Sequence, residues 1–172
     1  MNLLIVFSIL LFSISNYSYG QETICVTTGF GFPEMINIGL RYGISNKTEI
    51  GVELGTFSEN LPYTQDSHTS LSANLLYHLR KPIDTNNSAY DLSNWYLRFS
   101  LMHIVSKSKT IFQAYTLFNI QFGREINFSK KFGCYLGAGG YLIIKEVENY
   151  PNKPLDIDLS PISFAFGLFY RF

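Results

Sequence analysis
The chain offers few groups able to act as base, nucleophile or ligand, and their spacing decides how far each can go. His103 with Ser106, and His68 with Ser67 or Ser70, place an imidazole within three residues of a hydroxyl, the pairing that nucleophilic catalysis uses. No Asp is placed by the sequence to orient either ring, so neither pair forms a complete catalytic set. The third histidine, His78, stands beside Arg80. No two His, Cys or carboxylate residues share a ligand-like spacing on one face. The Gly137-Ala138-Gly139-Gly140 run lacks the Lys-Ser/Thr pair and the strand-to-helix setting of a phosphate loop. The sequence therefore assigns no catalytic, cofactor-binding or metal residue and no cofactor. What it does place with some definition is a set of charges, Arg41, Glu49, Glu53, Arg80, Arg98 and Glu125, on faces otherwise built from small and polar residues.

Those faces come from alternation. Eight runs, 24–32, 35–45, 49–57, 69–80, 95–106, 111–126, 132–146 and 162–172, follow a period of two, the spacing of a strand with one apolar face. In the second run Ile36, Ile38, Leu40, Tyr42 and Ile44 oppose Asn37, Gly39, Arg41 and Gly43; in the fifth, Trp95, Leu97, Phe99 and Leu101 oppose Tyr96, Arg98 and Ser100. A three-residue turn, Asn46-Lys47-Thr48, sets Arg41 directly across from Glu53, and a slip by two leaves the pair diagonal and still within reach. The alternation predicts an all-β fold, an eight-stranded antiparallel up-and-down transmembrane β-barrel. Its apolar face points outward and its small, polar face fills a narrow lumen. The charged lumen residues then form an ion-pair network, because buried charges demand partners. A soluble secreted barrel binding an apolar ligand is the competing architecture, with the apolar face turned inward.

Composition agrees with a lipid-facing surface, aromatic content being 16% against 15% charged residues. Formal net charge is zero, which gives a nucleic-acid partner no electrostatic support. Residues 1–20 read as a signal peptide, with an apolar run from Leu3 to Phe12 and small residues Ser18 and Gly20 before a cut at Gln21. That run is shorter than the ~20 residues of a spanning helix. The barrel then occupies 21–172. Thr23-Ile24 before Cys25 lacks the small residue of a lipid-attachment site. Cys25 falls on the inward face of run one and Cys134 on the outward face of run seven, with run eight between them, so no disulfide is expected.

The last run carries the most specific signal. Ile162, Phe164, Phe166, Leu168, Tyr170 and Phe172 form one unbroken apolar row against Ser163, Ala165, Gly167 and Arg171. This pattern resembles the C-terminal insertion signal of bacterial outer-membrane barrels, and the whole 21–172 region is similar to the small eight-stranded class of outer membrane proteins A and X. The resemblance implies a location in the outer membrane of a Gram-negative bacterium, with outer-membrane lipids and the barrel insertion machinery as partners. It implies a non-enzymatic structural or interaction role, the alternative within the class being a lipid A-modifying enzyme. With both termini periplasmic, 45–48 and 127–131 become short periplasmic turns and 58–68 and 146–160 external loops. Residues 33–34 and 107–109 become short external hairpins. The 81–94 segment becomes an unusually long periplasmic linker, positioned for a periplasmic contact. Trp95, Tyr170 and Phe172 fall at the periplasmic ends as interfacial aromatics.

Overall fold
All eight runs are strands in the computed structural model, which describes residues 24–33, 35–45, 47–61, 64–79, 94–107, 112–129, 131–149 and 161–172. They are β1 (Ile24–Phe32), β2 (Met35–Ser45), β3 (Thr48–Leu61), β4 (Thr64–His78), β5 (Asn94–Lys107), β6 (Phe112–Asn127), β7 (Phe132–Asn149) and β8 (Ile162–Arg171). Each pairs antiparallel with its neighbours in chain order, and β8 returns to β1 to close the barrel. Closure matters because it leaves no strand edge around the wall. The segment expected to be a signal peptide, Arg80 and the expected linker up to residue 93 lie outside the described residues.

The faces follow the alternation. Ile38, Leu54 and Phe166 on the outside are 60%, 58% and 55% exposed, whereas Arg41 and Arg98 in the lumen are 1% and 0% exposed. This arrangement is the reverse of a soluble barrel: apolar side chains line the outside and charges line the interior. The apolar-lined soluble alternative is thereby excluded.

Several boundaries differ from the sequence reading. Strands β3 and β4 continue through most of the 58–68 segment, pairing Ser58 with Ser67 and Leu61 with Thr64, so His68 sits in a strand and not in a loop. β7 likewise runs on to Asn149, paired with Phe112. In β7 both faces are exposed from Leu142 to Val147, so no alternation is needed there to continue a hydrogen-bonded ladder. β4 ends at His78, two residues before the expected position.

The β2–β3 register also differs. Ser45 pairs with Thr48, one residue tighter than a three-residue turn, and a bulge between Gly43 and Ser45 absorbs one residue, so Arg41 stands across from Gly51 and Glu53 across from Gly39. The diagonal arrangement of Arg41 and Glu53 is the one adopted. A second bulge opposite Thr116–Leu117 displaces Ile144.

Candidate functional site in the barrel lumen
The lumen divides along its axis. At the half nearer the chain termini, Arg41 (β2), Glu53 (β3), Arg98 (β5), Glu125 (β6) and Arg171 (β8) form one chain of alternating charge. Arg98 Nη2 donates to Glu53 Oε2 at 2.7 Å, and Arg41 Nη2 lies 3.7 Å from Glu53 Oε1. Arg41 Nη1 donates to Glu125 Oε1 at 3.2 Å, and Arg171 Nη2 to Glu125 Oε2 at 2.6 Å. The neutral neighbours extend the network. Asn74 Oδ1 accepts from Arg98 Nη2 at 3.1 Å, Gln121 Oε1 from Arg98 Nη1 at 3.4 Å, and Asn127 Oδ1 from Arg171 Nη1 at 2.7 Å. The Arg41 guanidinium also lies 4.7 Å from the centre of the Tyr135 ring and Arg171 4.2 Å from that of Phe169, in cation–π range.

Glycine explains why such long side chains fit. Gly39 faces Glu53 across the β2–β3 pair, and a Cβ there would overlap the Glu53 side chain; at Gly51 it would press on Arg41 Cγ. The small residues that mark the inward faces in the sequence are the space into which the charged residues reach.

Farther along the axis, Thr27, Asn37, Ser100, Asn119 and Ser163 form a buried polar middle, in which Ser163 Oγ donates to Asn119 Oδ1 at 2.8 Å. The end opposite the termini is closed by an apolar cluster of Met102, Tyr115, Leu117 and Tyr141, with Phe32 and Ile104 packed against it. Above that cluster is a cup of about 80 Å³, lined in part by Phe32, His68, Ser70, Ile104, Ser106 and Tyr115.

The histidine pairs are sorted by strand parity. His103 points outward, its Nδ1 3.2 Å from Thr116 Oγ1. Ser106 is paired with His68 at the mouth, where both line the cup. The pair His103 and Ser106 is thus split between two faces. His68 and Ser67 are adjacent and face opposite ways, whereas His68, Ser70 and Ser106 share the cup. Among the described residues no carboxylate lines it, and its volume is well below the ~300 Å³ of a drug-sized ligand site. Cys25 and Cys134 are both free and buried, on either side of β8. Gly139 packs on the backbone of Ile120 and Gln121, the structural use of glycine in a wall.

One grouping could not be read from spacing, because its members sit on three strands. Glu49 (β3), His78 (β4) and Glu125 (β6) bring one ligand-capable atom each to within 4.8 Å of one another. Only the register of the closed barrel aligns them.

At the outer surface, aromatic side chains gather near the terminal end. Trp95 stacks on Phe122 with centroids 4.8 Å apart, Phe128 lies 5.6 Å from Phe132, and Tyr170 meets Phe172 edge-on at 5.1 Å. The Phe172 amide donates to the Ile24 carbonyl at 3.0 Å, so the closing ladder extends to the last residue.

A closed eight-stranded antiparallel barrel with an apolar exterior and a side-chain-filled polar lumen is the architecture of the small outer-membrane barrels. The solved structures that share it with this chain include three such proteins. The N-terminal β-barrel domain of Pseudomonas aeruginosa OprF matches with a TM-score of 0.60 and 16% identity, over 90% of this chain and 100% of the domain. Ail, the attachment invasion locus protein of Yersinia pestis, matches with a TM-score of 0.51 and 10% identity, over 88% of this chain and 99% of Ail. Neisserial surface protein A matches with a TM-score of 0.51 and 15% identity, over 87% and 94% of the two chains. No family model and no curated protein matches the sequence.

Proposed function
We propose that this protein is a non-enzymatic barrel of a Gram-negative outer membrane, with a structural or interaction role in the envelope. The observation that carries the reading is the inverted distribution of polarity: an exposed apolar belt around a wall whose charges are buried and paired inside. In lipid that belt is satisfied, and every backbone group of a closed wall is bonded within the wall. The aromatic girdle at the terminal end fits a membrane interface, with the termini periplasmic.

An interaction role is supported by the uneven rim. The β3–β4 hairpin and the paired start of β6 and end of β7 rise past the ends of β1, β2 and β8, which gives the external side a raised wall for contacts. A pore is disfavoured because the apolar Met102, Tyr115, Leu117 and Tyr141 cluster closes the lumen. Catalysis has less support still, since among the described residues the histidine that shares a cup with serines has no carboxylate there to orient it. The barrel insertion machinery and outer-membrane lipids are the partners this reading requires, and the 81–94 linker is its candidate periplasmic contact.

The test is fractionation of cells expressing the protein, followed by electrophoresis of the detergent-extracted envelope with and without boiling. An envelope-associated band whose mobility changes on heating is expected. A soluble periplasmic product whose mobility is unaffected by heating refutes the proposal.

A further inference from the structure
The terminal mouth of the lumen holds an ion pair, His78 with Glu49, that lacks hydrogen-bond geometry. His78 is buried to 6% exposure, and neither of its ring nitrogens makes a hydrogen bond. Its Nε2 nevertheless lies 3.4 Å from Glu49 Oε1. A buried nitrogen 3.4 Å from a carboxylate oxygen and outside hydrogen-bond geometry has the spacing of two ligands of a shared third atom. In a tetrahedral zinc site with bonds of ~2.05 Å, neighbouring ligand atoms stand about 3.3–3.4 Å apart. Glu125 completes the group, with all three ligand atoms inside 4.8 Å.

Glu125 is shared with two arginines, and each has a second contact, an ion pair for Arg41 and a hydrogen bond for Arg171. Arg41 retains Glu53 at 3.7 Å and Arg171 retains Asn127 at 2.7 Å. Glu125 can therefore turn toward a metal while each arginine keeps one contact, and Arg171 is in addition 20% exposed to water. Access is from the terminal side, where the Glu49 and Arg171 side chains keep 19% and 20% of their surface exposed. An imidazole with two carboxylates suits a borderline transition-metal dication better than Ca²⁺ or Mg²⁺, which take oxygen ligands.

We propose that Glu49, His78 and Glu125 bind a zinc-class divalent ion at the terminal mouth of the lumen, clasping β3, β4 and β6 together. Water supplies the fourth position. Because His78 must be neutral to ligate, binding weakens as the solution is acidified. The proposal goes beyond the envelope role and does not depend on it.

The experiment titrates zinc chloride into the full barrel, refolded in detergent and stripped with chelator, with calorimetry and thermal unfolding as readouts. One ion per barrel and a raised unfolding midpoint are expected, and magnesium chloride should bind at least about tenfold more weakly. His78→Gln should weaken zinc binding by about tenfold or more and remove the midpoint shift. Glu49→Gln should do the same, and it leaves the arginine contacts of Glu125 in place should His78→Gln fail to refold. His68→Gln, at the opposite mouth, and His103→Gln, on the outer wall, should bind zinc as the parent does. Absence of zinc binding by the parent barrel overturns the proposal. So does undiminished binding in the Glu49→Gln variant, or loss of binding in His68→Gln or His103→Gln.

Discussion
Glu53 is the hinge of the buried network, and its removal can be worked through quantitatively. Its two oxygens face Arg98 at 2.7 Å and Arg41 at 3.7 Å, with both guanidiniums essentially inaccessible to water. At an effective dielectric of ~20 the gross attractions are about 6 and about 4.5 kcal/mol, so distance alone separates the two pairs little. What separates them is hydrogen bonding and alternatives. Arg98 donates directly to Glu53 and otherwise finds only neutral acceptors, Asn74 and Gln121. Arg41 makes no hydrogen bond to Glu53 and retains the carboxylate of Glu125. In Glu53→Leu the desolvation of both arginines persists without its main compensation, which should destabilise the barrel by about 3–5 kcal/mol. Arg98→Met should cost about the same. The double variant should lose much less than the sum, giving a coupling near 3 kcal/mol, whereas the Arg41–Glu53 cycle should give about 1 kcal/mol. The assay is urea unfolding of the refolded barrel, followed by fluorescence of its one tryptophan, Trp95, which stacks on Phe122 at the terminal rim. Additive losses within about 0.5 kcal/mol for Arg98 and Glu53 would refute the reasoning that this pair is a mutually compensated buried unit.

Replacing the outward Ile38, 60% exposed, with Arg should destabilise the barrel in lipid vesicles by roughly 2–4 kcal/mol; an unchanged urea midpoint would remove Ile38 from the membrane-facing belt. Gly39→Ala should cost about 1–3 kcal/mol by forcing the Glu53 side chain off its position, and a wild-type midpoint would show that the lumen has room to spare. Phe172→Ala should lose only about 1 kcal/mol as refolded protein, since its ring contacts Tyr170 and little else, yet assemble poorly in cells. Parental levels of envelope insertion at native expression would disprove recognition of this residue by the insertion machinery.

Strand identity, the number of strands and the facing of most side chains were legible in the sequence because period-two alternation is a local property; Phe32, which packs against the lumen cluster, and the residues past the β7 bulge are the exceptions. Ile36, Ile38 and Leu40 against Asn37, Gly39 and Arg41 need no knowledge of any partner to declare their faces. The charges on the inward faces could likewise be assigned to the lumen, since a closed wall leaves them nowhere else to go.

Which charge meets which was another matter. Glu53 and Arg98 are 45 positions apart, and Arg171 and Glu125 are 46; their contacts depend on the registers of the intervening strands and on closure. A pairing of Ser45 with Thr48, one residue tighter than a three-residue turn, and a one-residue bulge at Gly43–Ser45 together exchanged a direct Arg41–Glu53 pairing for a diagonal one. The rise of β3 and β4 to Leu61 and Thr64 was hidden for a different reason: residues 58–66 carry no apolar alternation, the local signal by which a strand is read. The convergence of Glu49, His78 and Glu125 belongs wholly to the tertiary structure. Each residue declares only an inward direction, and the accumulated stagger of the ladders decides that the three stand at one height in the lumen.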